Sequence, residues 1–367
     1  MKHINKQKTV VMAMSGGVDS SVAAALLKDQ GFKVIGITLK TWGYDEVPKH
    51  ESGCCSLEAI YSARNVSVQL DIPHYTLDFT DRFNETVIEN FISEYLDGKT
   101  PNPCVLCNKT IKWGAMLEKA ESLGADFIAT GHYARVKYSP DTGRYNVAVS
   151  ADLNKDQSYA LWQITQYGLS KTLFPLGGYT KPEIRKIASK LGLKSAELPD
   201  SQEICFVPND NYRELLESRK PELLNQLEGG QIVYKDTTIG EHKGYPYYTI
   251  GQRRGLGVSI GKPVYVNKID PEKNLIYVDD EKSLYTKRFN VKDINLMLHE
   301  RIENEIDAGV KIRYKDLQNP AKIKQISDDI IEVSFKTPRK AVTPGQSAVF
   351  YDGDNVIGGG IINEILE

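Results

Sequence analysis

Two sets of residues in this chain of 367 residues could do chemistry, and they lie far apart in sequence. The first is Val10-Val11-Met12-Ala13-Met14-Ser15-Gly16-Gly17-Val18-Asp19-Ser20-Ser21, an apolar run that breaks into glycine and serine and resumes at helical spacing. Strand, tight loop and helix in that order aim the loop N–H groups and the helix start at one point, a nest for phosphate or pyrophosphate. Gly16 and Gly17 let the backbone turn there with no Cβ in the way. The Gly-Lys-Ser/Thr ending of the Walker loop is absent, and the glycine spacing is not that of the dinucleotide fingerprint. The second set is cysteine. Cys104 and Cys107 form a CxxC within Thr100-Pro101-Asn102-Pro103-Cys104-Val105-Leu106-Cys107-Asn108-Lys109, and Cys205 lies in Leu198-Pro199-Asp200-Ser201-Gln202-Glu203-Ile204-Cys205-Phe206. Both stretches read as irregular, which suits reactive thiols more than packed ones. A lone CxxC lacks two donors for a structural zinc site and no second CxxC or HxxxH follows, so redox or sulfur chemistry is favoured over zinc. Cys54 and Cys55 read as packed thiols.

The elements that must position these residues follow from periodicity. A helix over Ser21–Gln30 and a strand over Lys33–Leu39 complete one βαβ unit, which calls for a parallel sheet with right-handed crossovers. A helix from Ser56 toward Gln69, a strand over Tyr75–Asp78 and a helix from Asp81 to Leu96 continue the alternation. Pro101 and Pro103 are read as forbidding regular helix until the pattern resumes over Thr110–Leu123. Phe127–Tyr133 is then a strand whose carboxyl end carries Gly131 and His132, and ligands of open α/β sheets sit at such ends. Helical patterns dominate Lys155–Gly192, with Lys181-Pro182-Glu183 as a helix start.

Past Pro208 the character changes to short β-branched and tyrosine-rich runs. They are Gln231–Tyr234, Tyr247–Ile250, Val264–Val266, Leu275–Val278, Val310–Tyr314, Ile330–Phe335 and Ser347–Tyr351, the pattern of small all-β modules. The expected fold is α/β: a doubly wound parallel-sheet nucleotide domain over residues 1–208, a small mainly β domain over 209–282 and a C-terminal antiparallel β-barrel over 283–367. With 41% hydrophobic and 26% charged residues the composition is that of a soluble globular protein. A net charge of −2 gives no global basic field, so any nucleic-acid binding must rest on local clusters. No stretch is long and apolar enough for a membrane span, no secretory signal opens the sequence, and five cysteines are too few for a disulfide framework, so a cytoplasmic protein is expected.

The loop Ser15–Ser21 resembles the pyrophosphate loop of ATP pyrophosphatases, which adenylate a carbonyl oxygen. Taken in order, SGGVDSSV, TPNPCVLCNKTIKW, ATGHYAR, NKDQSY, DSQEICFV, GQRRGLG and TPGQS cover essentially the whole chain and resemble the bacterial tRNA-specific 2-thiouridylases. That family replaces the C2 oxygen of the wobble uridine with sulfur in tRNAs for lysine, glutamate and glutamine. It uses ATP with Mg²⁺ and takes sulfur from a persulfide relay protein. The resemblance implies that Ala13, Met14, Ser15, Gly16, Gly17, Val18, Asp19 and Ser20 hold ATP, with Leu39 and Gly131 beside it. It makes Cys107 the nucleophile and Cys205 the persulfide carrier. Asn102, Pro103 and Cys104 would meet the extruded base, and Lys155, Asp156, Gln157, Arg313, Tyr314 and Gln346 would touch tRNA. His132, within Thr130-Gly131-His132-Tyr133, is assigned to the same substrate site.

One departure matters. Relatives carry aspartate where this chain has Cys104, and a thiol is a poorer acid or base at neutral pH. The resulting set Cys104, Cys107 and Cys205 could instead hold a [4Fe–4S] cluster by three irons, so cluster-bound sulfide and persulfide relay both stand as sulfur routes. Gln252-Arg253-Arg254 and Lys336-Thr337-Pro338-Arg339-Lys340 are basic clusters in the β modules, while Trp42 and Trp113 read as packing residues. Two other functions compete: an ATP pyrophosphatase acting on a small molecule, and a non-catalytic nucleotide-sensing RNA-binding protein.

Overall fold

The computed structural model describes residues 8–41, 57–193, 204–207 and 211–366. Trp42, Cys54, Cys55 and most of the stretch before Ile204 lie outside the described residues. The N-terminal part alternates strand and helix: β1 (Thr9–Ala13), α1 (Val18–Asp29), β2 (Lys33–Lys40), α2 (Leu57–Gln69) and β3 (His74–Asp78). A long helical stretch then runs through α3 (Thr80–Phe83), a π-turn and α4 (Glu89–Leu96); a second runs through α5 (Pro103–Cys107), a π-helical segment Asn108–Met116 and α6 (Leu117–Ser122). β4 (Phe127–Ala129) returns to the sheet. A hairpin of β5 (Arg135–Ser139) and β6 (Arg144–Ala148) follows, then α7 (Gln166–Ser170), β7 (Thr172–Leu173) and α8 (Lys181–Lys190).

The first sheet is parallel throughout, in the order β3-β2-β1-β4-β7. Side-chain alternation along β1 divides the packing between its two faces. Val10 and Met12 join Val18, Val22 and Leu27 of α1 and Ile184 and Ala188 of α8, whereas Val11 joins Trp113, Met116 and Leu117 on the other face. Because β1 leads outward to β2 on one side and β4 lies on the other, the crevice between β1 and β4 is a topological switch point, where such sheets bind ligands.

After α9 (Tyr212–Arg219) and α10 (Pro221–Gln226), the middle domain forms a four-stranded sheet in the order β10-β11-β8-β9. Its strands are β8 (Gly230–Tyr234), β9 (Thr237–His242), β10 (Tyr265–Asp270) and β11 (Leu275–Asp279), and it has its own core around Ile232, Val266 and Ile276. The C-terminal strands are β12 (Tyr285–Leu296), β13 (Ile306–Lys311), β14 (Asn319–Gln325), β15 (Ile331–Lys340), β16 (Ser347–Asp352) and β17 (Asn355–Ile365). They run β12-β15-β14-β13-β16-β17, and the β12–β17 pairing closes them into an antiparallel barrel, which removes exposed sheet edges.

Several local expectations are corrected. The CxxC stretch is helical rather than irregular, because Pro103 takes the first helical position, where no N–H is needed, and the Asn102 side chain caps by accepting from the Val105 N–H at 3.4 Å. Tyr247–Ile250 is not a strand: Gly244 at φ +123° and Pro246 start a single 3-10 turn over Tyr245–Tyr247. The strand expected through Tyr314 ends at Lys311. Two helices precede the middle sheet, and Lys155–Gly192 holds only the short α7, a 3-10 turn and α8 together with the edge strand β7. The expected strand through Tyr133 stops at Ala129.

Candidate active site

The loop after β1 is built as its composition requires. Gly16 has φ +77°, and a Cβ there would collide with the Ala59 carbonyl of α2, so α2 closes over the loop as a roof that only glycine admits. The Ser62 hydroxyl donates to the Gly16 carbonyl at 2.8 Å. Gly17 is the N-cap of α1. With no side chain to cap the helix, its first N–H groups remain directed at the loop. The Ser15 N–H donates to Ser20 Oγ at 3.2 Å, and the hydroxyls of Ser20 and Ser21 donate to the Gly17 carbonyl at 3.1 and 2.8 Å. From the turn after β4, Gly131 packs against the same helix start, for its Cβ would lie 2.9 Å from Ser20 N and 3.1 Å from the Asp19 carbonyl carbon. The predicted nucleotide residues Ala13–Ser20 and Gly131 therefore meet at the switch point.

Asp19 carries the charge of this loop, and its partners come from distant elements. Lys181 Nζ donates to both Asp19 carboxylate oxygens at 2.8 Å, and the Tyr133 hydroxyl donates to Oδ1 at 2.7 Å. The Lys181 side chain is only 9% exposed, and its backbone N–H donates to Asp152 Oδ2 at 2.9 Å. Sequence reasoning placed Lys181 as a helix start, which it is: Thr180 and Glu183 form a capping box around it. Its link to Asp19 was not visible.

Cys107 and the residues flanking Cys205 are tied to one apolar cluster that also takes in Leu39 of β2. Leu39, at the carboxyl end of β2, packs both into the core beneath β1 and into a second cluster containing Phe83, Phe91, Ile204, Phe206 and Cys107. Phe206 makes edge-on contacts with Phe83 at 5.7 Å and Phe91 at 5.1 Å between ring centroids, which anchors the residue next to Cys205. Cys107 is half-buried against this cluster, while Cys205 and Cys104 are exposed. Cys104 faces the barrel instead: burial pushes up the pKa of the Tyr314 phenol, and Asp156 and the Cys104 thiol beside it act in the same direction. Among the described residues no three His, Cys, Asp or Glu side chains converge so as to hold a metal ion. Cys104 stands beside Tyr314, while Cys107, one turn further along the same helix, packs with the Phe206 cluster.

The short helix bearing Cys104 and Cys107 is held at both ends. The Asn102 side chain is hydrogen-bonded to the Tyr159 hydroxyl, which also donates to the Ser347 carbonyl at 2.9 Å. The Asn108 amide donates to the Ala160 carbonyl at 2.8 Å. Several residues assigned to tRNA by resemblance have internal partners. Asp156 is buried and accepts from the Ser150 N–H at 3.1 Å and the Ser158 hydroxyl at 2.7 Å. The Gln157 side chain accepts from the Tyr133 N–H at 2.9 Å, and Gln346 Nε2 donates to the carbonyls of Thr100 and Pro101 at 2.9 and 3.0 Å. Lys155 is half-buried next to them, and Tyr314 is partly exposed, at 43%.

His132 has internal partners as well. It is buried, with its ring beside Trp113 and Phe174. Lys112 can only donate, so Nε2 accepts at 3.3 Å and the ring proton on Nδ1 donates to Thr130 Oγ1 at 2.6 Å. Burial, and then the Lys112 charge, push the imidazole pKa well below its usual value. A neutral histidine partnered in this way fixes the turn after β4. Trp113 is a packing residue, as expected, donating to Thr172 Oγ1 at 2.7 Å.

A basic cleft of about 400 Å³ opens on the barrel between the end of β13 and the end of β15. Arg313, Lys315, Arg339 and Lys340 line it, with Asp316 the acidic member. Arg313 is locked by donating to the carbonyls of Lys340 and Ala341 at 2.8 and 2.7 Å, whereas Arg339 holds Asp316 at 3.3 Å and keeps its buried Nε–H without a partner. The arrangement suits an anionic ligand next to Tyr314 and Cys104.

Residues 8–209 match the family model described as a tRNA methyl transferase HUP domain, 221–280 a tRNA methyl transferase PRC-barrel domain and 286–362 an aminomethyltransferase beta-barrel domain. The chain is 48% identical over 362 residues to tRNA-specific 2-thiouridylase MnmA of Amoebophilus asiaticus, covering 97% of this chain and 96% of that protein. It is 46% identical over 367 residues to tRNA-specific 2-thiouridylase MnmA of Salinibacter ruber, covering 99% and 96%. The protein of the same name from Heliobacterium modesticaldum is 48% identical over 363 residues, covering 98% and 94%.

Proposed function

Because the chain belongs to the tRNA-specific 2-thiouridylase family, we propose that it is an ATP-dependent tRNA sulfurtransferase that replaces the C2 oxygen of the wobble uridine with sulfur. The observation that carries this reading is the position of Leu39, whose packing joins the sheet edge beside the anion loop to the cluster holding Cys107 and the residues on either side of Cys205. Activation and sulfur transfer need one cleft, and this packing supports the reading that the loop and the thiols share it. The family models are described as methyl transferases, but the full-length relatives are named 2-thiouridylases, and thiols beside an anion loop suit sulfur transfer.

Uridine O2 is a poor leaving group. Attack of O2 on the α-phosphorus of ATP expels pyrophosphate into the nest of loop N–H groups and turns O2 into the ester oxygen of AMP. The terminal sulfur of a persulfide on Cys205 then attacks C2, and AMP leaves. The Cys107 thiolate attacks the Cys205 sulfur, breaking the S–S bond so that the electron pair stays on the transferred sulfur as the thiocarbonyl forms. A Cys107–Cys205 disulfide remains, to be reduced by an external thiol. Asp19, whose carboxylate also accepts from Lys181 and Tyr133, is the loop residue that would help hold the Mg²⁺ accompanying ATP, and the ion would neutralise phosphate charge there.

The base must leave the anticodon stack to reach this cleft. Asn102, Pro103 and Cys104 border its entrance, and the basic cleft around Arg339 takes the tRNA backbone. The tRNAs for lysine, glutamate and glutamine are the expected substrates and a persulfide-bearing relay protein the sulfur donor, which places the reaction in the cytoplasm. No helix among the described residues is long and apolar enough to cross a membrane.

The test supplies unmodified tRNA, ATP, Mg²⁺ and a persulfide donor and measures pyrophosphate and 2-thiouridine. Wild-type protein should form both, and Cys205→Ser should form no 2-thiouridine. Formation of 2-thiouridine by Cys205→Ser would refute the persulfide role, and the absence of pyrophosphate release with wild type would refute adenylation.

A further inference from the structure

Lys112 joins the two halves of the site, and among the described residues no carboxylate pairs with it. It sits on the π-helical segment Asn108–Met116, which continues the helix that bears Cys107. At 3.6 residues per turn, residues five apart would lie about 140° apart round the helix. With the i→i+5 hydrogen bonds of π winding they come nearly into line, which brings Lys112 toward the face that carries Cys107. Its neighbours fix the segment: Ile111 is buried in the cluster that holds Cys107 and Phe206, and Trp113 in the core on the Val11 face of β1. The Lys112 ammonium reaches the turn after β4, where it donates to His132 Nε2 at 3.3 Å. His132 follows Gly131, the residue that packs against the start of α1 at Ser20.

The imidazole it meets is neutral, because Nε2 accepts from the ammonium while the proton on Nδ1 goes to Thr130 Oγ1. A half-buried ammonium facing a neutral ring is costly unless an anion completes its surroundings. The chemistry of the site selects that anion. The loop after β1 takes pyrophosphate and Cys107 must reach C2 of the uridine, and Lys112 links the helix of the one to the turn beside the other. We propose that Lys112 is a catalytic residue that binds the α-phosphate of ATP as it passes to uridine O2, and then holds the AMP that leaves when sulfur attacks. This inference rests on the adenylation reading above. As the bond from O2 to phosphorus forms, the bridging P–O bond breaks with its electron pair on pyrophosphate, and the N3 proton of the base passes to water. Lys112 stays protonated throughout, so its charge offsets the negative charge gathered on the phosphoryl oxygens.

The test uses the full chain with Lys112→Met, which keeps most of the side-chain length without its charge, and Lys112→Arg, which keeps a charge. Calorimetry gives the Kd of AMP and of pyrophosphate in the presence of Mg²⁺, and a single turnover at saturating tRNA and ATP gives the rate of pyrophosphate release. Lys112→Met should weaken AMP about tenfold or more and leave pyrophosphate within about twofold of wild type. Pyrophosphate release should slow about a hundredfold to a thousandfold, and Lys112→Arg should recover about tenfold of that loss or more. A change in packing alone would not separate AMP from pyrophosphate. An unchanged release rate in Lys112→Met overturns the proposal. So does an equal loss of affinity for AMP and pyrophosphate, which would mean that the loop itself had been disturbed. Should Lys112→Met fail to fold, Lys112→Gln is measured in its place. Should wild type release no pyrophosphate, the adenylation reading fails, while the comparison of AMP with pyrophosphate still decides whether Lys112 holds the α-phosphate.

Discussion

Replacing Lys181 by methionine isolates the ion pair that holds the anion loop. Lys181 Nζ contributes two charged hydrogen bonds of 2.8 Å to Asp19 from a side chain that is 9% exposed. Removing one partner of a fully buried pair costs about 3–5 kcal/mol, chiefly because the other charge is stranded. Here the Asp19 side chain is 32% exposed and keeps the Tyr133 hydroxyl, so water and one donor relieve part of that cost. About 2 kcal/mol of destabilisation is expected for Lys181→Met. Asp19→Asn should cost a similar amount, and the double variant much less than the sum, leaving a coupling of about 1–2 kcal/mol. Urea unfolding of wild type, both single variants and the double variant closes the cycle. The coupling should survive added salt, since screening acts weakly on a pair with one buried partner. A coupling within about 0.5 kcal/mol of zero would show the two side chains to be independent and remove the argument that Lys181 sets the loop.

Gly131→Ala should weaken ATP binding about tenfold, since its Cβ would press on the start of α1 at Ser20 N. Gly178→Ala, where a Cβ meets nothing within 4 Å, should leave calorimetric ATP affinity unchanged, and equal affinities for both variants would contradict the packing described. His132 gives a pH signature. Its folded pKa lies well below the ordinary 6.5, so below about pH 6.5 the unfolded chain binds a proton that the native state does not. Stability must therefore fall as the medium is acidified, by up to about 1.4 kcal/mol per pH unit for this group. His132→Gln should flatten the acid limb of the urea midpoint between about pH 7 and 5.5, leaving the portions from His74 and His242, whose values burial also lowers. Identical limbs would rule His132 out as a contributor. Arg339→Ala should weaken tRNA binding and reduce the slope of log Kd against log salt by about one, measured by filter binding; an unchanged slope would mean that the cleft does not meet a phosphate.

What was legible in the sequence was local. The strand, the glycine loop and α1 follow one another within 21 residues, and their apolar spacing and turn chemistry agree, so both their form and their anion-binding character could be read. The CxxC helix was misread because proline is a breaker inside a helix and a starter at its first position, and only the cap geometry tells the two apart. The hairpin had a signal that could have found it: Arg135–Ser139 and Arg144–Ala148 alternate polar and apolar residues around Asp141-Thr142-Gly143. Lys181 had none, since its partner Asp19 lies 162 residues away and no local rule pairs them. The internal roles of Gln157 and Gln346 were hidden for the same reason, since each depends on backbone groups brought near by the fold, whereas Asp156 bonds locally to Ser150 and Ser158.

The hairpin carries a consequence for how this protein could be taken apart or recombined. β6 extends the barrel sheet beside β17 through the pairing of Ala148 with Asn355, and Arg144 donates to the carbonyls of Leu296 and Met297 at 2.9 and 2.8 Å. Val147, Trp162, Met297, Val349 and Tyr351 share one core that draws on both ends of the chain. A chimera that swaps only the barrel with that of a relative cuts through this shared core, whereas the middle sheet, with its separate core, offers a cleaner exchange. The nucleotide half and the barrel are thus a single unit of inheritance, and substitutions on their common surface must be matched across some two hundred residues of sequence, as in the 209 that separate Asn146 from Asn355.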